Sequence, residues 1–297
     1  MKLGLIGLGK MGSRIALKLL QDGHKVVAWN RSDHEFKNVE TIKELVKSLE
    51  QPRVIWLMLP QQATQGILDE VSKYVQANDI VIDGGNAFYK DTERRYETYK
   101  TQNIKFLGIG VSGGVIAAKE GYPLMVGGDK SAYEYVTPIL DSLAKPHGGH
   151  EYFGTGGAGH FVKMIHNGIE YGIMQSLAEG FAVLHNAPYK LDLQKVGKLW
   201  QKGTLVSGFM LDRSVDALTT HPNMADVSGV INATGEAEWT IKQAKEEGVS
   251  VEIIKASLDY RKRSQTDSAV QNSFTAKMVA ALRQAFGGHD IQPKHVK

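Results

Sequence analysis

Lys163, His166, Asn167, Glu170 and Tyr171 recur at i, i+3, i+4, i+7 and i+8 within residues 157–171, the spacing of one continuous helical face. Lysine and glutamate are residue types that exchange protons, while histidine, asparagine and tyrosine offer hydrogen bonds to a polar ligand. Phe161, Val162, Ile165, Ile169 and Ile173 occupy the opposite arc. The spacing therefore predicts a helix anchored on its apolar side, with its polar stripe lining a cleft. An ordinary surface helix would carry Glu, Lys and Gln on its wet face rather than this mixed set.

Such a face needs a scaffold. Short β-branched runs at 3–6, 26–29, 54–59, 80–82 and 105–109 alternate with segments of helical period, the pattern of a parallel sheet with crossover helices. A further run at 124–126 reads as an edge or bent strand, and 131–143 as the last helix of that domain. After Pro146 a glycine-rich stretch, 147–159, ends the strand signals. Residues 157–185 hold no proline and support one long helix stopped near Asn186 and Pro188. Further helices are expected at 193–201, 237–247, 251–264 and 273–286.

The first turn, Gly7-Leu8-Gly9-Lys10-Met11-Gly12, fits G-x-G-x-x-G between a strand and a helix. There glycines permit a tight turn and close approach of a pyrophosphate to the helix N-terminus. After the second strand an NAD site would place Asp or Glu, but this chain has Asn30, Arg31 and Ser32. Asn30 removes a charge that would repel a 2′-phosphate, and Arg31 offers a forked donor to phosphate oxygens. NADP is favoured, with NAD as the alternative. The expected fold is an α/β N-terminal Rossmann-type doubly wound sheet (1–156) followed by an all-α C-terminal domain (157–297).

Composition bounds the possibilities. With 297 residues, 42% hydrophobic and 23% charged, the chain can bury two cores and reads as globular. No run of about 18 apolar residues occurs, so no membrane span is expected, and the start reads as a strand rather than a secretory signal. Zero cysteines exclude disulfides, thiolate metal sites and a cysteine nucleophile, in keeping with a cytoplasmic protein. A net charge of +3, with both signs interspersed, offers no stripe for nucleic acid. Arg261, Lys262 and Arg263 form the one compact basic run, suited to a solvated helix end or a phosphorylated substrate.

On these residues the chain resembles the short form of the decarboxylating 6-phosphogluconate dehydrogenases, within the β-hydroxyacid dehydrogenase group, over essentially its whole length. The shared motifs are 7–12, Asp83-Gly84-Gly85-Asn86, Val111-Ser112-Gly113-Gly114, the 163–171 helix, and Arg283-Gln284-Ala285-Phe286-Gly287-Gly288-His289. The resemblance implies oxidative decarboxylation of 6-phosphogluconate to ribulose 5-phosphate and CO2, with Lys163 as general base and Glu170 as acid. Asn86, Ser112, Gly113, Gly114, His166 and Asn167 would hold the carboxylate and hydroxyls, Asn86 also meeting the cofactor. Tyr171, Thr240, Arg261 and Arg283 would hold the phosphate. It also implies a homodimer or higher oligomer in which Arg283 and His289 complete a neighbour's site.

The chain departs from the family in two places. Glu238 replaces the lysine the family carries just before Trp239. Either the two arginines suffice for the phosphate, or the alignment shifts here, or the substrate is less anionic. Val115 to Lys119 follow the Ser-Gly-Gly turn where the long form tends to be acidic. Three other functions compete: a β-hydroxyacid dehydrogenase acting on a small unphosphorylated acid without CO2 loss, a non-catalytic dinucleotide-binding sensor, and a metal enzyme using His147 and His150. The last lacks a third ligand in sequence, so no metal is expected.

Overall fold

The computed structural model describes residues 1–232 and 235–291. The chain packs as two units, Met1–Met164 and Ile165–Lys297.

In the first unit the elements run β1 (Lys2–Ile6), α1 (Gly12–Gln21), β2 (Lys25–Trp29), α2 (Ile42–Lys47), β3 (Val54–Leu57), α3 (Gln61–Val71), β4 (Ile80–Asp83), α4 (Tyr89–Lys100), β5 (Lys105–Val111), α5 (Ala117–Glu120), β6 (Pro123–Gly128), α6 (Lys130–Ala144) and β7 (Gly149–Tyr152). They form one seven-stranded sheet in the order β2-β1-β3-β4-β5-β6-β7. All residues of β3 and β4 are buried, as expected where helices cover both faces of a parallel sheet. Two apolar cores result. One contains Leu3, Leu5, Ile15, Leu19 and Ile82, the other Ile6, Leu45, Ile55, Leu68 and Phe106. The chain reverses direction across the sheet between β1 and β3, and the crevice beyond the carboxyl ends of strands at such a switch point is where open α/β sheets bind ligands.

Two strands differ from the sequence expectation. β6 is neither an edge nor a bend: it pairs antiparallel with β5 and parallel with β7. β7 lies inside the stretch read as glycine-rich loop. Gly-His-Glu-Tyr has no β-branched residue, so its extended form comes from pairing with β6 and from His150, whose Nδ1 and Nε2 lie 3.0 Å from the Tyr133 hydroxyl and Asp141 Oδ1.

α7 (Ala158–His185) begins in the first unit and continues through the second, which adds α8 (Leu193–Trp200), α9 (Phe209–Thr220), α10 (Glu236–Glu246), α11 (Glu252–Thr266), α12 (Ser268–Asn272) and α13 (Phe274–Gly287). α9 and α12 were not expected from the sequence. α9 buries Leu211, Ser214, Val215 and Leu218, and a serine within its inward stripe blurs the apolar period. α12 is a single capped turn, its N-terminal amides accepted by the Asp267 carboxylate. The second core gathers Ala178, Phe181, Leu211, Leu218, Met224 and Val279.

The inward direction of α7 is a correction. Asn167, Tyr171, Met174, Ala178 and Phe181 form its buried stripe, whereas Ile169 and Ile173 are 53% and 44% exposed. Tyr171 and Met174 join Ala237, Leu258 and Leu282 in a smaller core, so Asn167 and Tyr171 of the polar stripe face inward, Lys163, His166 and Glu170 are half-buried, and part of the apolar arc faces out.

Candidate active site

At the head of β1, Gly7 has φ +97°, and a Cβ there would stand 2.5 Å from the Met58 carbonyl oxygen. Only glycine satisfies both conditions. Gly9 faces open space, with nothing within 4 Å of a built Cβ, so its backbone can be approached closely. Met11 supplies no side-chain cap to α1, and within its first turn the Ser13 N–H donates to the Gly9 carbonyl at 3.0 Å. These features fit the pyrophosphate of a dinucleotide.

Asn30 has a more local part than the sequence suggested. Its Oδ1 accepts the Leu8 N–H at 3.1 Å, and its Nδ2 donates at 3.1 Å to both the carbonyl and the hydroxyl of Ser32. The amide thereby ties the end of β2 to the glycine turn. Arg31 is exposed beside it.

The ends of β4 and β5 carry the next group. Asp83 is fully buried, pairs with Arg95 at 2.8 Å and accepts the Gly85 N–H at 3.1 Å. Arg95 also donates from Nε to Gln65. This buried ion pair fixes the turn that presents Asn86, which is exposed. Past β5, Ser112 is 8% exposed and its N–H donates to the Pro123 carbonyl, while Gly113 and Gly114 take φ of 89° and 56°.

The first turns of α7 lie directly on the sheet. A Cβ at Gly159 would come within 2.5 Å of the Gly108 carbonyl oxygen and 2.6 Å of the Gly127 nitrogen. A Cβ at Gly110 would collide with that of Lys163. Glycines in strand and helix alike let α7 approach until Lys163 sits over β5. The Glu93 carboxylate accepts the Gly157 N–H at 2.7 Å and so caps this helix. Further along, His166 Nδ1 is 3.1 Å from Asn167 Oδ1 and 3.8 Å from Glu170 Oε2, so His166 leans toward the carboxylate one turn on.

In the second unit the structure brings together residues more than a hundred positions apart. Arg261 is 2% exposed, its guanidinium carbon 3.3 Å from the Tyr171 ring centre and its Nη2 3.9 Å from the Met174 sulfur. Arg283 is 7% exposed and close enough for its charge to bear on Arg261. Burial pushes the Arg261 guanidinium down to about 10, with Arg283 adding to the shift and Tyr171, Glu170 and Glu236 opposing it. Burial lowers Arg283 as well. Both remain cations at neutral pH. Among the described residues neither makes an ion pair with a carboxylate within 4 Å. Two buried guanidinium groups this close together are an arrangement that an anion would neutralise.

Thr240 is buried next to Gly168, its hydroxyl donating to the Glu236 carbonyl. Glu238 lies on the outer side of α10, half exposed and paired with Lys262 at 2.6 Å, so its charge is met there. His289 is exposed near Phe286. The family resemblance groups Arg283 with His289 at a neighbour's site; within the single chain Arg283 is buried near Arg261. From the sequence, Asp83 is legible only within its Asp-Gly-Gly-Asn motif, and Arg95 and Glu93 are missed altogether. A buried acid followed twelve positions later by arginine was the available signal for the Asp83 and Arg95 pair.

A glycine turn at the switch point of a parallel sheet, followed by a helix carrying lysine and glutamate on one face, defines a nicotinamide-dinucleotide dehydrogenase architecture. Residues 2–157 match the family model for the NAD binding domain of 6-phosphogluconate dehydrogenase, and 159–278 match that for its C-terminal domain. The YqeC protein of Bacillus subtilis is 37% identical over 302 residues, covering 99% of this chain and 100% of that one. An NAD(+)-dependent, decarboxylating 6-phosphogluconate dehydrogenase of Haloferax volcanii is 35% identical, covering 99% of each. Plasmodium falciparum 6-phosphogluconate dehydrogenase, a structure described with NADP+ and with 6-phosphogluconate, superposes with a TM-score of 0.81 at 30% identity. That match covers 91% of this chain and 63% of the longer Plasmodium chain. The chain belongs to the 6-phosphogluconate dehydrogenase family.

Proposed function

We propose that the chain oxidatively decarboxylates 6-phosphogluconate to ribulose 5-phosphate and CO2, using NADP in preference to NAD. The observation that carries the substrate is the buried Arg261 and Arg283 pair, which lacks a carboxylate partner and suits a phosphate dianion. Glu238 does not oppose this, because Lys262 meets its charge on the outer side of the helix.

Residues 7–12 with Asn30, Arg31 and Ser32 hold the dinucleotide in the domain spanning 1–156, and residues 157–297 form the substrate and dimerisation domain. When bound, the nicotinamide supplies the acceptor for the hydride that leaves C3 of the substrate. Lys163 takes the proton from the C3 hydroxyl, and a 3-keto acid results. Its carbonyl lies β to the carboxylate and accepts the electron pair released as the bond to CO2 breaks. Glu170 then gives a proton to C1 of the enediol. Asn86, Ser112, Gly113, Gly114, His166 and Asn167 orient the carboxylate and hydroxyls for both steps. Lys163 and Glu170 are two turns apart on α7, roughly 10 Å along its axis, a gap that two long side chains narrow onto neighbouring carbons.

The active protein is proposed to be a homodimer. Ile169, Ile173 and Ile253 are 53%, 44% and 68% exposed, and Ile253 reaches the α7 surface at Gly172, forming an apolar face suited to a second copy. In such a dimer Arg283 and His289 would reach a neighbour's site, as the family resemblance implies. We place the protein in the cytoplasm: no described helix is long and apolar enough to cross a membrane, and the absence of cysteine suits a reducing compartment.

One assay tests the whole reading. The protein is incubated with 6-phosphogluconate and either cofactor while reduced nicotinamide and CO2 are followed together. Equal yields of both are expected. Reduced cofactor without CO2 would indicate a non-decarboxylating dehydrogenase, and neither product would defeat the proposal.

A further inference from the structure

One buried titratable side chain has no part in the chemistry above. His160 lies on the first turn of α7, three residues before Lys163, and is 1% exposed. Its Nδ1 is 2.7 Å from the hydroxyl oxygen of Thr92 on α4, which is fully buried. Nε2 makes no hydrogen bond of good geometry among the described residues, and the backbone of Gly85 and of Ile109 faces the ring as acceptor. The charged groups acting on it are the paired Asp83 and Arg95. Burial pushes the imidazole below its ordinary pKa, so the ring is neutral at working pH. One tautomer fits all of these neighbours: the Thr92 hydroxyl donates to Nδ1, and the proton on Nε2 faces carbonyl oxygens.

The three segments that meet at this ring are those carrying the proposed substrate contacts in the first unit. Gly85 directly precedes Asn86, Ile109 lies near the end of β5 just before Ser112, and His160 itself is one turn from Lys163. The strand leaves room for the arrangement, since a Cβ at Gly108 would stand 2.5 Å from Thr92 Cγ2 and 3.0 Å from His160 Nδ1. A histidine chosen merely to fill volume would need neither a hydroxyl at 2.7 Å nor a glycine beneath it.

We infer that His160 is a positioning residue, which with Thr92 locks the start of α7 to the Asp83 to Asn86 turn and to the end of β5, and so fixes Lys163 relative to Asn86 and Ser112. This rests on the catalytic reading of those three residues.

The test compares His160→Phe, Thr92→Val and Thr92→Ser with the wild-type protein, measuring kcat and KM for 6-phosphogluconate and, separately, the NADP dissociation constant by titration. His160→Phe and Thr92→Val should lose kcat by on the order of 10- to 100-fold, the scale of a small misplacement of a reacting group. Their NADP affinity should fall far less than kcat, because the glycine turn proposed to hold the pyrophosphate is not among the three segments that meet at the ring. Thr92→Ser, which keeps the hydroxyl, should restore most of the rate. If His160→Phe does not fold, the two Thr92 variants decide alone. Wild-type kcat and KM in Thr92→Val, or a parallel loss of NADP binding, would overturn the inference. A wild-type protein inactive on 6-phosphogluconate would instead overturn the proposed reaction, and this role with it.

Discussion

Arg261 holds its guanidinium 3.3 Å from the centre of the Tyr171 ring, so that an aromatic face rather than a carboxylate is its main partner. A cation–π contact of this kind offsets part of the cost of burying the charge. Arg283 nearby raises the cost further. Under the proposed function, an entering phosphate would offset this cost.

Arg261→Met should therefore move affinity and stability in opposite senses. Loss of one member of a buried charged contact costs about 2 to 5 kcal/mol of binding, so KM for 6-phosphogluconate should rise by at least roughly 30-fold. The melting temperature without ligand should hold or increase, since an apolar side chain of similar length replaces an unpaired buried charge. Thermal shift with and without inorganic phosphate reads both. Undiminished phosphate stabilisation in the variant would show that the anion binds elsewhere.

Lys163 and Glu170 should fail differently. A general base contributes roughly 100- to 10,000-fold, so Lys163→Met should lose that much of kcat at unchanged NADP affinity. Glu170→Gln should retain hydride transfer better than release of ribulose 5-phosphate, because its part comes after CO2 departs. Pre-steady-state absorbance together with product analysis separates the two. Near-normal turnover by either variant would remove that residue from the mechanism.

His160 also predicts an acid limit to stability. Burial holds its pKa in the fold below the ordinary 6.5, with Arg95 lowering it and Asp83 opposing. The unfolded chain takes up a proton near 6.5 and the folded chain does not. The contribution is fully present above 6.5 and is lost as pH falls from there toward the folded value. Urea midpoints measured between about pH 7 and pH 5 should fall more steeply for the wild type than for His160→Gln. Parallel slopes would mean that this ring carries no proton linkage.

How far the sequence revealed all this depends on the range of the interactions. The glycine turn, the strand before it and the polar stripe of α7 were legible because each is written in neighbouring residues. β7 was not, because its extended form comes from pairing with β6 rather than from its own composition. The inward face of α7 was misread for a related reason. Periodicity locates a face, but only packing partners such as Leu258 and Leu282 decide that Tyr171 is buried and Ile173 is not. The contact between Thr92 and His160 spans 68 positions, beyond any local pattern.

Cofactor choice turns on the same distinction between local spacing and actual partners. The Haloferax relative is named as NAD(+)-dependent and the Plasmodium enzyme is described with NADP+ as its cofactor, so family membership leaves the choice open. Asn30 keeps the glycine turn in place through its acceptor oxygen and holds Ser32 through its donor nitrogen. Asn30→Asp preserves the first bond, sets a carboxylate against the Ser32 carbonyl, and adds negative charge where a 2′-phosphate would lie. Arg31→Ala removes the forked donor without touching the turn. A hydrogen bond to a charged group is worth about 1.5 to 3 kcal/mol, so each change should lower the ratio of kcat/KM for NADP over NAD by roughly 10- to 100-fold. NAD kinetics should stay close to wild type in Arg31→Ala and tolerate Asn30→Asp. If both variants keep the wild-type ratio, the adenosine 2′-phosphate is recognised by other residues and the assignment of 30–32 fails.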